Sequence, residues 1–178
     1  MSMMRTLSRI APMLAAAALL SLPAGAQQRV SPHEKTSATI DGKKITIEYG
    51  RPYMKGRKIF GGLEPLGKVW RAGADEATTL TTDADLTIGI LKVPKGQYAL
   101  FIIPEANKWT LVVNKVASQW GAFSYDQSQD LGRTAMKFTT ASAPLEQFTI
   151  SIESAGPKRG ILKMAWERVV ATADISVN

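Results

Sequence analysis

The stretch TIDGKKITIEY, residues 39–49, decides how the rest of the chain is read. Ile45, Ile47 and Tyr49 alternate with Thr46 and Glu48, and Ile40 stands just before Asp41-Gly42. Successive side chains of an extended strand point to opposite faces, so this alternation describes a strand with one buried face. Asp and Gly both tolerate the positive φ that a two-residue turn requires. The stretch therefore reads as a β-hairpin.

The same period recurs along the chain. Strands are expected at residues 77–82 and 86–90, around an Asp83-Ala84-Asp85 turn. After the Pro94-Lys95-Gly96 turn, residues 97–103 are apolar on both faces, as in a central, doubly covered strand. Trp109, Leu111 and Val113 alternate in the next strand, and Met136 and Phe138 in another. Beyond Pro144, Phe148, Ile150 and Ile152 alternate, and a Gly156-Pro157 turn leads to Leu162, Met164 and Trp166. The apolar positions then change parity, to Val169, Ala171, Ala173, Ile175 and Val177. A period of two cannot keep both sets on one face, so a bulge or tight turn is required within residues 167–170.

About nine short strands separated by turn signals, with no amphipathic helix and no repeat, predict an all-β fold. The expected form is a single antiparallel β-sandwich, jelly-roll-like, over residues 37–178. A parallel sheet would need crossover helices, and no run supplies them. Residues 50–68, GRPYMKGRKIFGGLEPLGK, interrupt the pattern with five glycines and two prolines in 19 residues. They predict one long Gly-rich loop, with a helical turn near residues 64–68, and loops of this length are often functional. Residues 115–132 form a second polar excursion.

The ends and the composition bound the setting. Residues 1–9 carry Arg5 and Arg9 and no acid, residues 10–22 are almost wholly apolar, and Ala24-Gly25-Ala26 fits a small-x-small cleavage site. Residues 1–26 are thus expected to be a secretory signal peptide cut after Ala26, and the apolar run is too short to span a bilayer. Residues 27–36 are polar, hold Pro32 and lack a period, and are expected to be a flexible leading arm. The expected location is the bacterial periplasm or the cell exterior. There is no cysteine, hence no disulfide, thiolate site or lipid-attachment cysteine. The formal charge of +7, or +5 without Arg5 and Arg9, favours anionic partners at long range. Export argues against nucleic acid and for anionic small molecules, glycans or envelope components. A modest positive charge also serves plain solubility.

Several segments together resemble one family. ITIEYGRPYMKGRKIFGGLEPLGKVWRAGADEATT, VPKGQYALFIIP and QWGAFSYD are similar to the bacterial domain of unknown function 2911 family, from about Ser31 to the end. The resemblance implies a secreted, single-domain, all-β protein. It brings no activity, cofactor or catalytic residue.

The chemistry must be read from the residues. The single histidine, His33, lies in the leading arm, where nothing is expected to orient it as a base. One histidine and no cysteine set aside zinc and copper, and no metal site is expected. Asp126-x-Ser128-x-Asp130 imitates a calcium loop but has Leu131 and Lys137 where a glycine and a closing glutamate belong. Asp75 and Glu76 are adjacent, so in an extended segment they face opposite ways and cannot flank one glycosidic bond. Glu76 is the one acid to name for a glycan- or cell-wall-directed hydrolase, which is the second functional reading.

The first reading is a non-enzymatic binding module without a cofactor. Arg51, Lys55, Arg57, Lys58, Lys68 and Arg71 are interleaved with Tyr53, Phe60 and Trp70. Guanidinium forks match carboxylate, sulfate or phosphate, and aromatic faces stack on sugars. Trp120 and Tyr125, on the second polar loop, are candidates for a sugar platform, whereas Trp109 and Trp166 are expected in the core. The candidate ligand-binding residues are Arg51, Lys55, Arg57, Trp70, Arg71, Glu76, Trp120 and Tyr125. In KVWRAGADEATT, residues 68–79, a lock and a site are both natural. The lock, with Arg71 or Arg51 paired to Glu76 and Glu48 and Trp70 as a core plug, is the first expectation. A third reading is an envelope protein that binds other proteins through strand edges.

Overall fold

The computed structural model describes residues 28–178; the expected signal peptide lies outside the described residues. The described chain forms nine strands: β1 (His33–Ile40), β2 (Lys43–Gly50), β3 (Thr78–Thr82), β4 (Leu86–Ile88), β5 (Leu91–Val93), β6 (Gly96–Pro104), β7 (Trp109–Asn114), β8 (Asp130–Gly156) and β9 (Arg159–Val177). Every pairing is antiparallel, in the order β1-β2-β3-β6-β7-β8-β9-β4-β5. The fold is all-β and antiparallel, as the alternation requires.

The sheet curls on itself. Four strand spacings separate β2 from β8, about 19 Å in a flat sheet at roughly 4.8 Å each. Yet the Tyr49 hydroxyl of β2 accepts a hydrogen bond from Ile150 N of β8 at 2.9 Å. The curl is made by the long strands. β8 pairs with β7 up to Met136 and with β9 from Lys137 onward. The main apolar core takes Ile47, Leu100, Leu111, Phe148, Trp166 and Ile175, and a smaller cluster holds Ala77, Ala99, Phe101 and Val112.

The turn chemistry follows the sequence. Ile40 pairs with Lys43 across Asp41 (φ 51) and Gly42 (φ 72), a two-residue hairpin. The parity change in β9 falls at Glu167, whose φ is 54. Leu145 pairs with Glu167 and Thr140 with Val169, so residues 141–144 bulge opposite Arg168. Arg168 Nη1 donates to the carbonyls of Ala141 and Ser142 and braces the bulge.

Three expectations need correction. Within the expected leading arm 27–36, β1 already starts at His33, because His33 to Ile40 find a complete register on β2. Residues 86–90 are not one strand. Gly89 (φ 59) turns the chain after Ile88, and β5 returns alongside β4. Residues 64–68 hold a turn at Leu66-Gly67, with Gly67 at φ 74, and no helical turn.

Candidate functional site

The glycine-rich loop is fastened at both ends. At its start, Arg51 Nη1 pairs with Glu34 at 2.6 Å, Nε donates to the Phe148 carbonyl and Nη2 to Thr149 Oγ1. At its end, Trp70 exchanges two 2.8 Å backbone hydrogen bonds with Ile102 of β6 and is only 2% exposed. Its indole stacks on Trp166 at 5.9 Å, meets Phe60 and Phe148 edge-on, and donates from Nε1 to the Gly73 carbonyl. Trp70 is therefore a core anchor and is removed from the ligand-binding candidates: a buried indole has no face left for a sugar.

Between these anchors the chain makes the turn that carries the charged residues. Ala72 (φ 51) and Asp75 (φ 62) are both left-handed. The turn lies so close to the end of β2 that Ala74 N donates to the Gly50 carbonyl, and a Cβ at Gly50 would overlap the Ala74 carbonyl oxygen. Glycine at position 50 is what permits this approach.

The expected Arg71–Glu76 ion pair does not form. Glu76 instead takes Arg29, with Oε1 at 2.7 Å from both Nε and Nη2. Glu48 takes Lys35, not Arg51. Asp75, 8% exposed, accepts from Val30 N and Ser31 N and lies 3.4 Å from His33 Nε2, which is 3.3 Å from Glu76 Oε2. The segment before β1 is thus strapped over the 72–76 turn, and His33 is held by two carboxylates. A polar arm rich in donors satisfies two acids that would otherwise be stranded beside the core.

The strap helps wall two clefts. The larger, about 540 Å³, is lined by Arg29, His33, Glu48, Glu76, Gln119 and Trp120, among others. Its charged side chains are already paired within the protein, through Arg29–Glu76 and Lys35–Glu48, and His33 lies between two carboxylates. Two of its acceptors, Glu76 Oε2 and Gln119 Oε1, are buried without a hydrogen bond among the described residues.

The smaller cleft, about 320 Å³, lies on the other side of Asp75 and gathers Lys55, Arg57, Glu64 and Arg71 over Pro52, Tyr53, Leu63 and Trp166. Arg57 is occupied, donating to the Met54 and Tyr53 carbonyls, and the Lys55 backbone donates to Glu146. Arg71 is different. Among the described residues its Nε is buried without a partner, and its guanidinium makes no ion pair. Glu64, the only acid in residues 50–68, is pushed up to about 7 by burial, against the opposing fields of Arg71 and Arg57. Near neutrality it therefore exists both as a carboxylate and as a carboxylic acid able to donate a hydrogen bond.

Residues 31–175 match a family described as proteins of unknown function, DUF2911. The chain belongs to that family. It matches no curated protein and no solved structure. In this DUF2911 protein the KVWRAGADEATT stretch divides its labour: Trp70 anchors, Asp75 and Glu76 hold the strap, and Arg71 faces a cleft. Trp120 lies in the larger cleft beside Glu76, joined to it by a backbone bridge. Tyr125 does not join Trp120 in a platform. Its ring packs edge-on against Phe101, and its hydroxyl donates to Asp130 Oδ2 at 2.8 Å and accepts from Arg133. Burial first, then Asp130, pushes that phenol up to about 12.

Arg29 and Glu64 are the site residues that sequence reasoning missed, and His33, expected to be unoriented, is instead held by Asp75 and Glu76. The one signal for Glu64 was its isolation among the cations of the loop. Arg29 and His33 come to the site only by tertiary folding, and no local pattern marks them.

Proposed function

We propose that this DUF2911 protein is an exported, non-enzymatic binding module that holds an anionic small molecule at Arg71. The carrying observation is the Arg71 guanidinium, partly buried, without an ion pair among the described residues, and facing a cleft that also holds Lys55 and Arg57. A buried donor left unmatched costs about 1–3 kcal/mol. An anion in the cleft would meet the accessible Nη edge of the same guanidinium in charge-assisted hydrogen bonds.

The hydrolase reading has less support. At Glu76 burial opposes ionisation, but the Arg29 hydrogen bond and the nearby His33 outweigh it, so the carboxyl stays below its usual range. Such a group is a poor proton donor near neutral pH.

The test is calorimetric titration of the chain from residue 27 with sodium acetate and inorganic phosphate at low ionic strength. Binding of either anion that Arg71→Gln abolishes, with the variant still folded by circular dichroism, supports the reading. Binding that Arg71→Gln leaves intact removes it.

A further inference from the structure

We infer that the Arg71 cleft is shaped for a compact monocarboxylic acid with an apolar body, its carboxylate on the Arg71 fork and within reach of Glu64, its body against Tyr53 and Leu63. This rests on the anion reading above and narrows it to a ligand class.

Three observations carry it. The first is size. About 320 Å³ stands at the lower end of the roughly 300–1,000 Å³ of small-molecule sites, which suits an aromatic or short branched acid better than a lipid or an oligosaccharide. The second is the wall. Tyr53 and Leu63 stay 39% and 44% exposed at its side, while Pro52, Ala74 and Trp166 behind them are already buried. An inorganic anion would leave the Tyr53 and Leu63 surface wet, whereas an apolar body would cover it, at about 25 cal/mol per Å² removed from water. The third is the donor set. Arg57 is spent on backbone carbonyls, so Arg71 is the one guanidinium of the cleft with its fork unused among the described residues. The Arg71 fork matches one carboxylate, and the exposed Lys55 ammonium adds a point charge without a second fork. Glu64 in its acid form adds an O–H donor to a ligand carboxylate, and in its charged form it repels one.

The experiment titrates the chain from residue 27 with acetate, butanoate, benzoate and inorganic phosphate, in wild type, Arg71→Gln and Leu63→Ser. Each fully buried CH₂ contributes about 0.8 kcal/mol, close to fourfold in affinity. Butanoate and benzoate are expected to bind at least tenfold tighter than acetate and phosphate. Arg71→Gln should abolish all binding. Leu63→Ser, at a position 44% exposed, should weaken benzoate several-fold and acetate much less, with folding checked by circular dichroism. Equal affinity for all four, or a preference for phosphate, overturns the apolar-acid inference and leaves the anion reading standing. No binding of any of the four at millimolar concentration overturns both.

Discussion

Arg71 and Glu64 share one cleft without forming an ion pair, and the guanidinium acts on the carboxyl only through its field. This arrangement makes the site sensitive to pH. The fields of Arg71 and Arg57 reach Glu64, Lys55 and Asp75 line the same cleft, and His33 lies 3.4 Å from Asp75. A ligand carboxylate at Arg71 favours the protonated acid. Binding of benzoate should therefore weaken as pH rises through about 7, by up to about tenfold between pH 6 and 8. Glu64→Gln, a permanent neutral donor, should hold affinity flat over that range. Calorimetry at three pH values decides it, and a flat wild-type profile would contradict the role given to Glu64.

The same carboxyl sets a stability trend in the absence of ligand. Its folded value is raised above the unfolded one, so between about 4.5 and 7 the folded state binds the extra proton, and stability falls as pH rises through that window. After discounting for the partial exposure of Glu64, the loss is on the order of 1–2 kcal/mol. Glu64→Gln should match wild type near pH 4.5 and melt several degrees higher at pH 8. Thermal melts at both pH values check the sign.

Arg51 and Arg71 should respond oppositely to substitution. Arg51 joins β1, β8 and the glycine-rich loop through Glu34, Phe148 and Thr149. Arg51→Ala loses charge-assisted bonds in a partly buried setting, about 2–4 kcal/mol, or roughly 5–15 °C in melting temperature. Arg71→Met replaces an unmatched donor with an apolar stem of similar length. It should leave the midpoint unchanged or raise it by a few degrees. A fall of 10 °C or more on Arg71→Met would restore the structural lock at this position.

The contrast shows what was legible. The Asp41-Gly42 turn and the parity change of β9 were readable because both are local: two residues that tolerate positive φ, and a period of two that breaks. The loop was legible as a loop because five glycines leave no strand. Which arginine would lock it was not legible. Arg51 and Arg71 have similar surroundings in sequence, and the partner that separates them, Glu34, lies on a strand that began inside a segment with no apolar period. The strap was hidden for the same reason. Arg29 and Glu76 are 47 residues apart, and the 72–75 turn that brings them together depends on left-handed Ala72 and Asp75, which no turn signature announces.

Asp75 is the residue on which the strap depends. It accepts from two backbone amides and lies 3.4 Å from His33 Nε2 while holding a φ of 62. Asp75→Ala loses the acceptor and incurs a left-handed penalty of about 1–2 kcal/mol. Asp75→Asn keeps a residue that tolerates this conformation and one acceptor oxygen. Limited trypsin digestion should cut after Arg29 much faster in Asp75→Ala than in wild type, with Asp75→Asn between them. Equal rates in all three would mean that the strap is held by Arg29–Glu76 alone.

Gly50 and Gly42 separate close approach from backbone strain. Around Gly42 a Cβ would meet nothing within 4 Å, although φ is +72, so Gly42→Ala costs only the left-handed penalty, about 1–2 kcal/mol. At Gly50 the added methyl would overlap the Ala74 carbonyl oxygen, which belongs to backbone and cannot rotate away. The 72–75 turn must then lift from the end of β2. It would carry with it the Asp75 carboxylate that holds the strap and the chain that aims Arg71. Gly50→Ala should therefore lower the melting temperature well beyond Gly42→Ala, by more than about 10 °C, if the loss exceeds 3–5 kcal/mol. It should also abolish anion binding in whatever fraction remains folded, whereas Gly42→Ala, at the far end of the hairpin, should bind like wild type. A Gly50→Ala variant that melts and binds as wild type does would show that the turn stands without its contact to β2.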